Sequence, residues 1–221
     1  MRLLSHFLRF FFRLLYHPFA WSYDLVAWTV SLGRWMDWVQ TVVPFVIGTR
    51  VLELGHGPGH LQRTLRDYNL RCVGLDESRQ MGLLAKRNLL HNGYTHNNLI
   101  RGLGQDLPFS PDTFDTVIAT FPTEYIFEAR TLSDVSRVLT NGGKLIVLPA
   151  AWITGKSRLD GFAAWLFRVT GQAPPDHGQE IINHFSKPFI EAGFQVQTEQ
   201  LEVKSSLVLI VIAEKRGINV K

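Results

Sequence analysis

The sequence predicts an α/β fold: a Rossmann-like seven-stranded, mostly parallel sheet with an antiparallel hairpin at its C-terminal end and helices on both faces. Three observations predict it. Short apolar strands alternate with helical stretches between residues 50 and 149, as in parallel strands joined by crossover helices. The first of these strands runs straight into Gly55-His56-Gly57-Pro58-Gly59, a loop that can turn sharply into a helix. Near the C-terminus two apolar-rich runs are separated only by Lys204-Ser205, which reads as a hairpin.

The elements follow in order. Residues 1–48 form an amphipathic, aromatic helical extension, dense in Phe, Trp and Leu and poor in acids. The main domain then runs from 49 to 221. Strand one is 50–54, followed by a helix over 60–68. Strand two is 71–75, closed by Asp76, and Ser78 is placed to cap a helix over 78–91. Strand three is 99–101 and strand four 114–120. A helix over 129–139 is ended by Asn141-Gly142-Gly143. Strand five is 144–149. An aromatic, Gly- and Pro-rich insertion over 150–178 reads as a lid. A helix over 179–192 leads to strands 194–203 and 206–213.

Bulk properties narrow the function. The chain has 221 residues, enough for one α/β domain with a full core and an appendage. The net charge of +4 suits anionic surfaces, yet no dense basic block points to nucleic acid. Cys72 is the single cysteine, so no intrachain disulfide exists, and its apolar strand makes it a buried, inert thiol. The eight histidines lack metal-ligand spacing, and no metal is expected. Charges at Arg9, Arg13, Asp24 and Arg34 interrupt the N-terminal third, which excludes an apolar span of about 20 residues. Arginines interleaved with apolar residues also differ from a secretory signal, so a cytoplasmic protein is expected.

Candidate ligand-binding residues cluster at the carboxyl ends of the parallel strands, where α/β sheets hold ligands. The glycine loop opens a helix N-terminus, whose amides favour an anionic group such as a carboxylate. Asp76 closes strand two, where an acid accepts both hydroxyls of a ribose; it could equally cap the following helix. The segment 102–109 follows strand three and leads to Phe114-Asp115 at the start of strand four.

The spacing G-x-G-x-G, with Glu53 two residues before it, differs from the G-x-G-x-x-G of nicotinamide-binding folds. Here the chain resembles the class I S-adenosylmethionine-dependent methyltransferases, whose first motif is similar to V-L-E/D-x-G-x-G-x-G. Residues 102–109 with Phe114-Asp115-Thr116-Val117 resemble their G-D-A-x-x-L-P-F…F-D-x-V. Arg137-Val138-Leu139-Thr140-Asn141-Gly142-Gly143 resembles R-V-L-K-P-G-G, and the terminal hairpin resembles their last two strands. The resemblance implies S-adenosylmethionine as cofactor. It implies that Gly55, Gly57 and Gly59 hold the methionyl end, with His56 among them as a loop residue or a substrate contact. It implies that Glu53 acts at the cationic end, unless it only caps the loop. Asp76 would bind the ribose with Glu77 alongside, and Thr120 and Phe121 would sit by the methionine and the reacting methyl. The chain departs from the pattern after strand three, where Leu103 stands in place of an acid that accepts from adenine. Gly104 could still offer its backbone N–H, and Asp106 belongs to the solvated turn.

Catalytic candidates are Tyr23, Asp24, Glu124, Tyr125, His177 and His184. Tyr23-Asp24 resembles a Tyr-Asp pair that small-molecule members carry before strand one, where the tyrosine reaches the cofactor. Phe121-Pro122-Thr123-Glu124 differs from the Asn-Pro-Pro-Tyr type motif of adenine and glutamine methylation. At 100° per residue, Arg2, His6, Arg9, Arg13 and His17 fall within about 80° of one helical face. Leu3, Leu4, Phe7, Leu8, Phe10, Phe11, Phe12, Leu14 and Leu15 cover the rest. This pattern fits a helix lying in an anionic membrane interface; the alternative is a helix packed on the domain or a partner. Trp21, Trp28, Trp35 and Trp38 continue the aromatic run, and the lid adds Trp152, Phe162, Trp165, Leu166 and Phe167. Apolar walls on both sides of one cleft imply an apolar small-molecule or lipid-like acceptor, at the inner face of the membrane.

Overall fold

The computed structural model describes residues 28–29, 31–95, 98–154 and 178–217. Tyr23, Asp24, His177, the basic stripe of residues 2–17, Trp21 and the apolar lid residues Phe162, Trp165, Leu166 and Phe167 lie outside the described residues.

Seven strands form one sheet in the order β3-β2-β1-β4-β5-β7-β6. These are β1 (Arg50–Leu54), β2 (Arg71–Asp76), β3 (Leu99–Arg101), β4 (Phe114–Thr120), β5 (Leu139–Ile153), β6 (Gln195–Val203) and β7 (Ser206–Glu214). Strands β1 to β5 pair in parallel, while β7 runs antiparallel to both β5 and β6. The helices are α1 (Trp35–Gln40), α2 (His60–Asp67), α3 (Arg79–His91), α4 (Ala129–Val138) and α5 (Gly178–Glu191). The order changes direction between β1 and β4, which creates a switch point at the carboxyl end of β1.

Alternation along the strands divides the core. In β1, Leu52 and Leu54 face one side, with Val117, Leu132, Val135 and Phe189. Val51 faces the other, with Leu61, Leu65, Ile118, Ile146 and Trp38. Glu53 shares the second side with Val51, since side chains repeat every two residues. Helix α2 is amphipathic and buries Leu61, Gln62, Thr64 and Leu65 over that carboxylate.

Two boundaries differ from the sequence reading. The helix before β5 ends at Val138, and Leu139 already pairs with Phe114, so Asn141-Gly142-Gly143 lies inside the strand. Strand β5 also continues through Ile153, because Ala150–Ile153 pair with Ser206–Leu209 of β7. The first residues assigned to the lid are therefore strand. The hairpin turns at Lys204, which adopts the left-handed region at φ 54°. Lys204 Nζ bonds Asp37 of α1 at 2.6 Å, tying the N-terminal helix to the hairpin.

Two motif residues prove to be fastenings. Asp115 sits near the amino end of β4, opposite the ligand end. Its carboxylate accepts from Thr49 N, Arg50 N and the Arg50 guanidinium, whose shortest bond is 2.6 Å. These bonds hold the Asp115 carboxyl below its ordinary range. Arg137 of α4 bonds the carbonyls of Phe109 at 2.6 Å and Leu107 at 2.9 Å, and Asp134 at 2.8 Å. It clamps the segment after β3 onto α4.

Candidate active site

The glycine loop leaves β1 at the switch point. Gly55 N donates to Leu75 O at 2.7 Å, so the turn is fixed to β2 before the loop departs. Gly55, Gly57 and Gly59 have φ of 69°, 50° and 83°, conformations that an L side chain rarely adopts. At Gly59 space is also limiting, since a Cβ would meet Ala85 Cβ of α3 at 2.9 Å. Asn88 of α3 donates to Pro58 O at 3.0 Å and pins the loop from the same side. Gly59 caps α2 without a side-chain bond, so no side chain competes for the first-turn amides. Gly55 is exposed, whereas Gly57, Pro58 and Gly59 are buried.

Beneath the loop lies a cluster of polar groups. Glu53 is 2% exposed, and Gln62 Nε2 donates to its Oε2 at 2.9 Å. The same amide donates to Val73 O at 3.3 Å, which orients it. Burial drives the Glu53 pKa up to about 8, against the Gln62 bond; the nearby Asp76 charge adds to the rise. His56 is also buried, with Nδ1 2.8 Å from Gly57 O, placing the ring proton on that nitrogen as donor. Burial lowers its pKa, so the ring favours the neutral form. Gly74, paired with Glu53 across the strands, makes room for it: a Cβ there would lie 2.9 Å from His56 Cδ2.

Asp76 joins loop to helix. Its Oδ2 accepts from Gly57 N at 2.9 Å and its Oδ1 from Ser78 N at 2.8 Å. Ser78 is the cap of α3, accepting from Met81 N at 3.2 Å. Each Asp76 oxygen retains acceptor capacity for a hydroxyl, so its fastening role and a ribose-binding role are compatible. Glu77 is exposed beside it, with its carbonyl engaged by Arg101 Nε at 2.9 Å.

At the end of β4, Thr120 is half-buried and Phe121 adopts φ 47°. That conformation costs about 1–2 kcal/mol for a residue with a Cβ. It is held by Phe121 N donating to Leu148 O at 2.7 Å. The aromatic ring is thereby turned onto Trp35, with centroids 4.3 Å apart and planes 28° from parallel; Trp38 lies at 6.2 Å. Trp35 thus covers the end of β4 with Trp38 buried behind it, while Trp28 is largely exposed.

The remaining candidates separate. Glu124 is exposed at the start of a short 3-10 helix, Glu124–Phe127. Tyr125, on the same turn, leans back to the loop, its hydroxyl 3.2 Å from where a Gly55 Cβ would be. His184 is exposed on α5, packing against Phe185. Leu103 is half exposed and Asp106 exposed, linked by a turn in which Asp106 N donates to Leu103 O at 3.2 Å. Gly104 is buried. Cys72 is buried, its thiol pushed up to about 11, which agrees with an inert residue. No metal-holding group of His, Cys, Asp or Glu occurs among the described residues. A cavity of about 330 Å³ between α4 and α5, lined by Leu132, Ser136 and Pro188 among others, includes none of these site residues.

Sequence reasoning passed over Gln62 and Gly74. The signal for Gln62 was an amide on the apolar stripe of α2 between Leu61 and Leu65. For Gly74 it was a glycine in mid-strand.

The chain has the fold of nucleoside-cofactor-binding α/β enzymes, with a glycine loop, a strand-two acid and an antiparallel last strand. A solved S-adenosylmethionine-dependent methyltransferase from Methanococcus maripaludis shares this fold. Its TM-score is 0.63, at 18% identity, over 91% of this chain and 94% of that one. A family model described as a methyltransferase domain matches residues 51–143. A demethylmenaquinone methyltransferase of Symbiobacterium thermophilum is 27% identical, over 92% of each chain. A phosphatidylethanolamine N-methyltransferase of Cereibacter sphaeroides is 32% identical over 46% of this chain and half of that protein. Sequence and fold together mark the chain as a methyltransferase similar to the S-adenosylmethionine-dependent enzymes.

Proposed function

We propose that this methyltransferase transfers its methyl group to an apolar, lipid- or quinone-like acceptor at the surface of a membrane. The observation that carries the reading is the stacked pair of half-buried rings, Phe121 and Trp35, at the end of β4, with the buried Trp38 behind them. The left-handed backbone at Phe121 turns an apolar ring onto Trp35 at the ligand end of β4. Two relatives point the same way by their names, one acting on demethylmenaquinone and one on phosphatidylethanolamine. The basic-aromatic stripe of residues 2–17 fits an interfacial helix that would bring the enzyme to such an acceptor. No helix among the described residues is long and apolar enough to cross a membrane. The proposal includes a peripheral position on the cytoplasmic face, for which the basic-aromatic stripe is the support.

The residues present fit the cofactor. The exposed backbone of Gly55 and the uncapped start of α2 accommodate a carboxylate, Asp76 a diol, and Glu53 a neighbouring cation. When bound, S-adenosylmethionine supplies an electrophilic methyl on a good leaving group. The protein's task is then alignment and exclusion of water. Phe121 and Trp35 would do both on the acceptor side. Glu124, exposed on the turn after β4, would be the group able to take a proton.

Two experiments test the reading. Labelled methyl groups should enter a total lipid extract and not a water-soluble metabolite extract; the reverse overturns the apolar acceptor. Flotation with anionic vesicles should carry the full chain and lose the variant lacking residues 1–17. Equal flotation, or none, would favour a soluble enzyme whose N-terminal helix packs on protein.

A further inference from the structure

The departure at Leu103 leaves the adenosyl end of the site without the expected acid: Leu103 turns half into solvent and Asp106 lies exposed. A different group stands over that end. A Cβ built on Gly104 would lie 2.9 Å from both Cδ2 and Cε2 of Tyr125, so one edge of the tyrosine ring rests directly on the Gly104 backbone. The hydroxyl of the same ring lies 3.2 Å from the Cβ position of Gly55. Tyr125 therefore spans from the first glycine of the loop to the segment after β3. Its neighbour Ile126 is fully buried and Glu128 N donates to Tyr125 O at 3.2 Å, so its backbone is fixed on both sides. Beside Gly104, 3.5 Å from the same Cβ position, is Cγ2 of Thr131. Thr131 is fully buried, yet its Oγ1 has no hydrogen-bond partner. Buried hydroxyls are rarely left so, and an unpaired one beside a ligand-facing loop marks a place for a polar edge.

We infer that Tyr125 is the specificity residue against which the adenosyl half of the cofactor packs, taking over by ring contact what an acid at position 103 would do by hydrogen bonding. A ligand that touches the backbone of both Gly55 and Gly104 must lie against this ring. Gly104 lacks a side chain because the ring occupies that space. This assignment makes Tyr125 a cofactor-packing residue and removes it from the candidates for the base. It rests on the methyltransferase reading.

Calorimetry with S-adenosylhomocysteine and with 5′-methylthioadenosine, which lacks the amino-acid end, tests it. Loss of one base–aromatic contact weakens binding by about ten-fold or more. Tyr125→Ala should therefore weaken both ligands by the same factor, at least about ten-fold, while Tyr125→Phe stays within about three-fold of wild type. Gly104→Ala, which displaces the ring, should behave as Tyr125→Ala. Tyr125→Leu, closer in volume, serves if the alanine variant does not fold. If wild type binds and the Ala or Leu variant binds equally well, the inference is wrong and the methyltransferase reading stands. If wild type binds neither ligand, that reading fails with it.

Discussion

Replacing Glu53 by Gln removes a carboxyl whose pKa stands at about 8 in the folded chain, raised from 4.5 by burial. The sign follows from proton binding. Between those two values the folded state holds a proton that the unfolded state has released, so stability falls as pH rises through this window. The contribution is fully present below about 4.5 and lost above about 8. A gap of roughly 3.5 units at ~1.4 kcal/mol each is an upper bound of about 5 kcal/mol. Relaxation around a buried charge reduces this bound, so a fall of about 2–5 kcal/mol is expected. Glu53→Gln should show none of it. It retains an acceptor for Gln62 Nε2 and gains an amide that needs a partner, at a cost of about 1 kcal/mol. Wild type should thus be the more stable below pH 5 and the variant above pH 8. His56, whose pKa is lowered, drives stability the opposite way below its ordinary value of 6.5, but it is common to both proteins. Urea unfolding at one-unit steps from pH 5 to 9 gives the difference. Parallel curves for the two proteins across that range would refute the argument.

Ionised Glu53 is favoured by a cationic ligand, so S-adenosylmethionine binding at pH 7 should release up to about one proton, seen by calorimetry in buffers of different ionisation heat. Glu53→Gln should release none. Asp76→Ala removes a charged acceptor for two hydroxyls and the partner of Gly57 N; S-adenosylhomocysteine affinity should fall by about 100-fold or more in a titration. Gly74→Ala places a Cβ against His56 and Leu99, both at 2.9 Å, and should lower stability by about 1–3 kcal/mol in urea unfolding, with weakened cofactor binding as the loop shifts. Arg137→Ala frees the carbonyls of Leu107 and Phe109; amide exchange over 103–110 should accelerate while β1 and β2 stay protected.

What could be read from the sequence was local or periodic. The glycine loop follows β1 directly, Ser78 caps α3 three residues before Met81, and the hairpin turns where two strands meet at Lys204-Ser205. What was hidden depended on register and on chain ends far apart. The extension of β5 through Ile153 needs Ser206–Leu209 opposite it. The contact of His56 with Gly74 needs β1 and β2 aligned so that Glu53 faces Gly74. Asp115 belonged to a motif otherwise placed at the ligand end, and only the fold shows that it fastens the opposite end to Arg50. Phe121 was expected at the reacting methyl; that its ring would turn onto Trp35 followed from a left-handed backbone that no residue type announces.

The two sides of the site are built on opposite principles. Under the loop, Glu53, Gln62, His56 and Asp76 form a linked polar cluster in which the charged form of Glu53 is penalised by burial. Over the end of β4, the half-buried rings of Phe121 and Trp35, backed by the buried Trp38, offer only apolar surface. A ligand cationic at one end and reacting at the other meets each where it gains most. On the proposed function, its positive charge would relieve the cost at Glu53, and its reacting centre would lie in a water-poor setting where a sulfonium is destabilised relative to the more dispersed charge of methyl transfer. The polar cluster alone would serve any nucleoside-bearing cation. On the proposed function, it is the half-buried Phe121 and Trp35, with the strained anchor at Phe121, that would make the far side selective for an acceptor which itself avoids water.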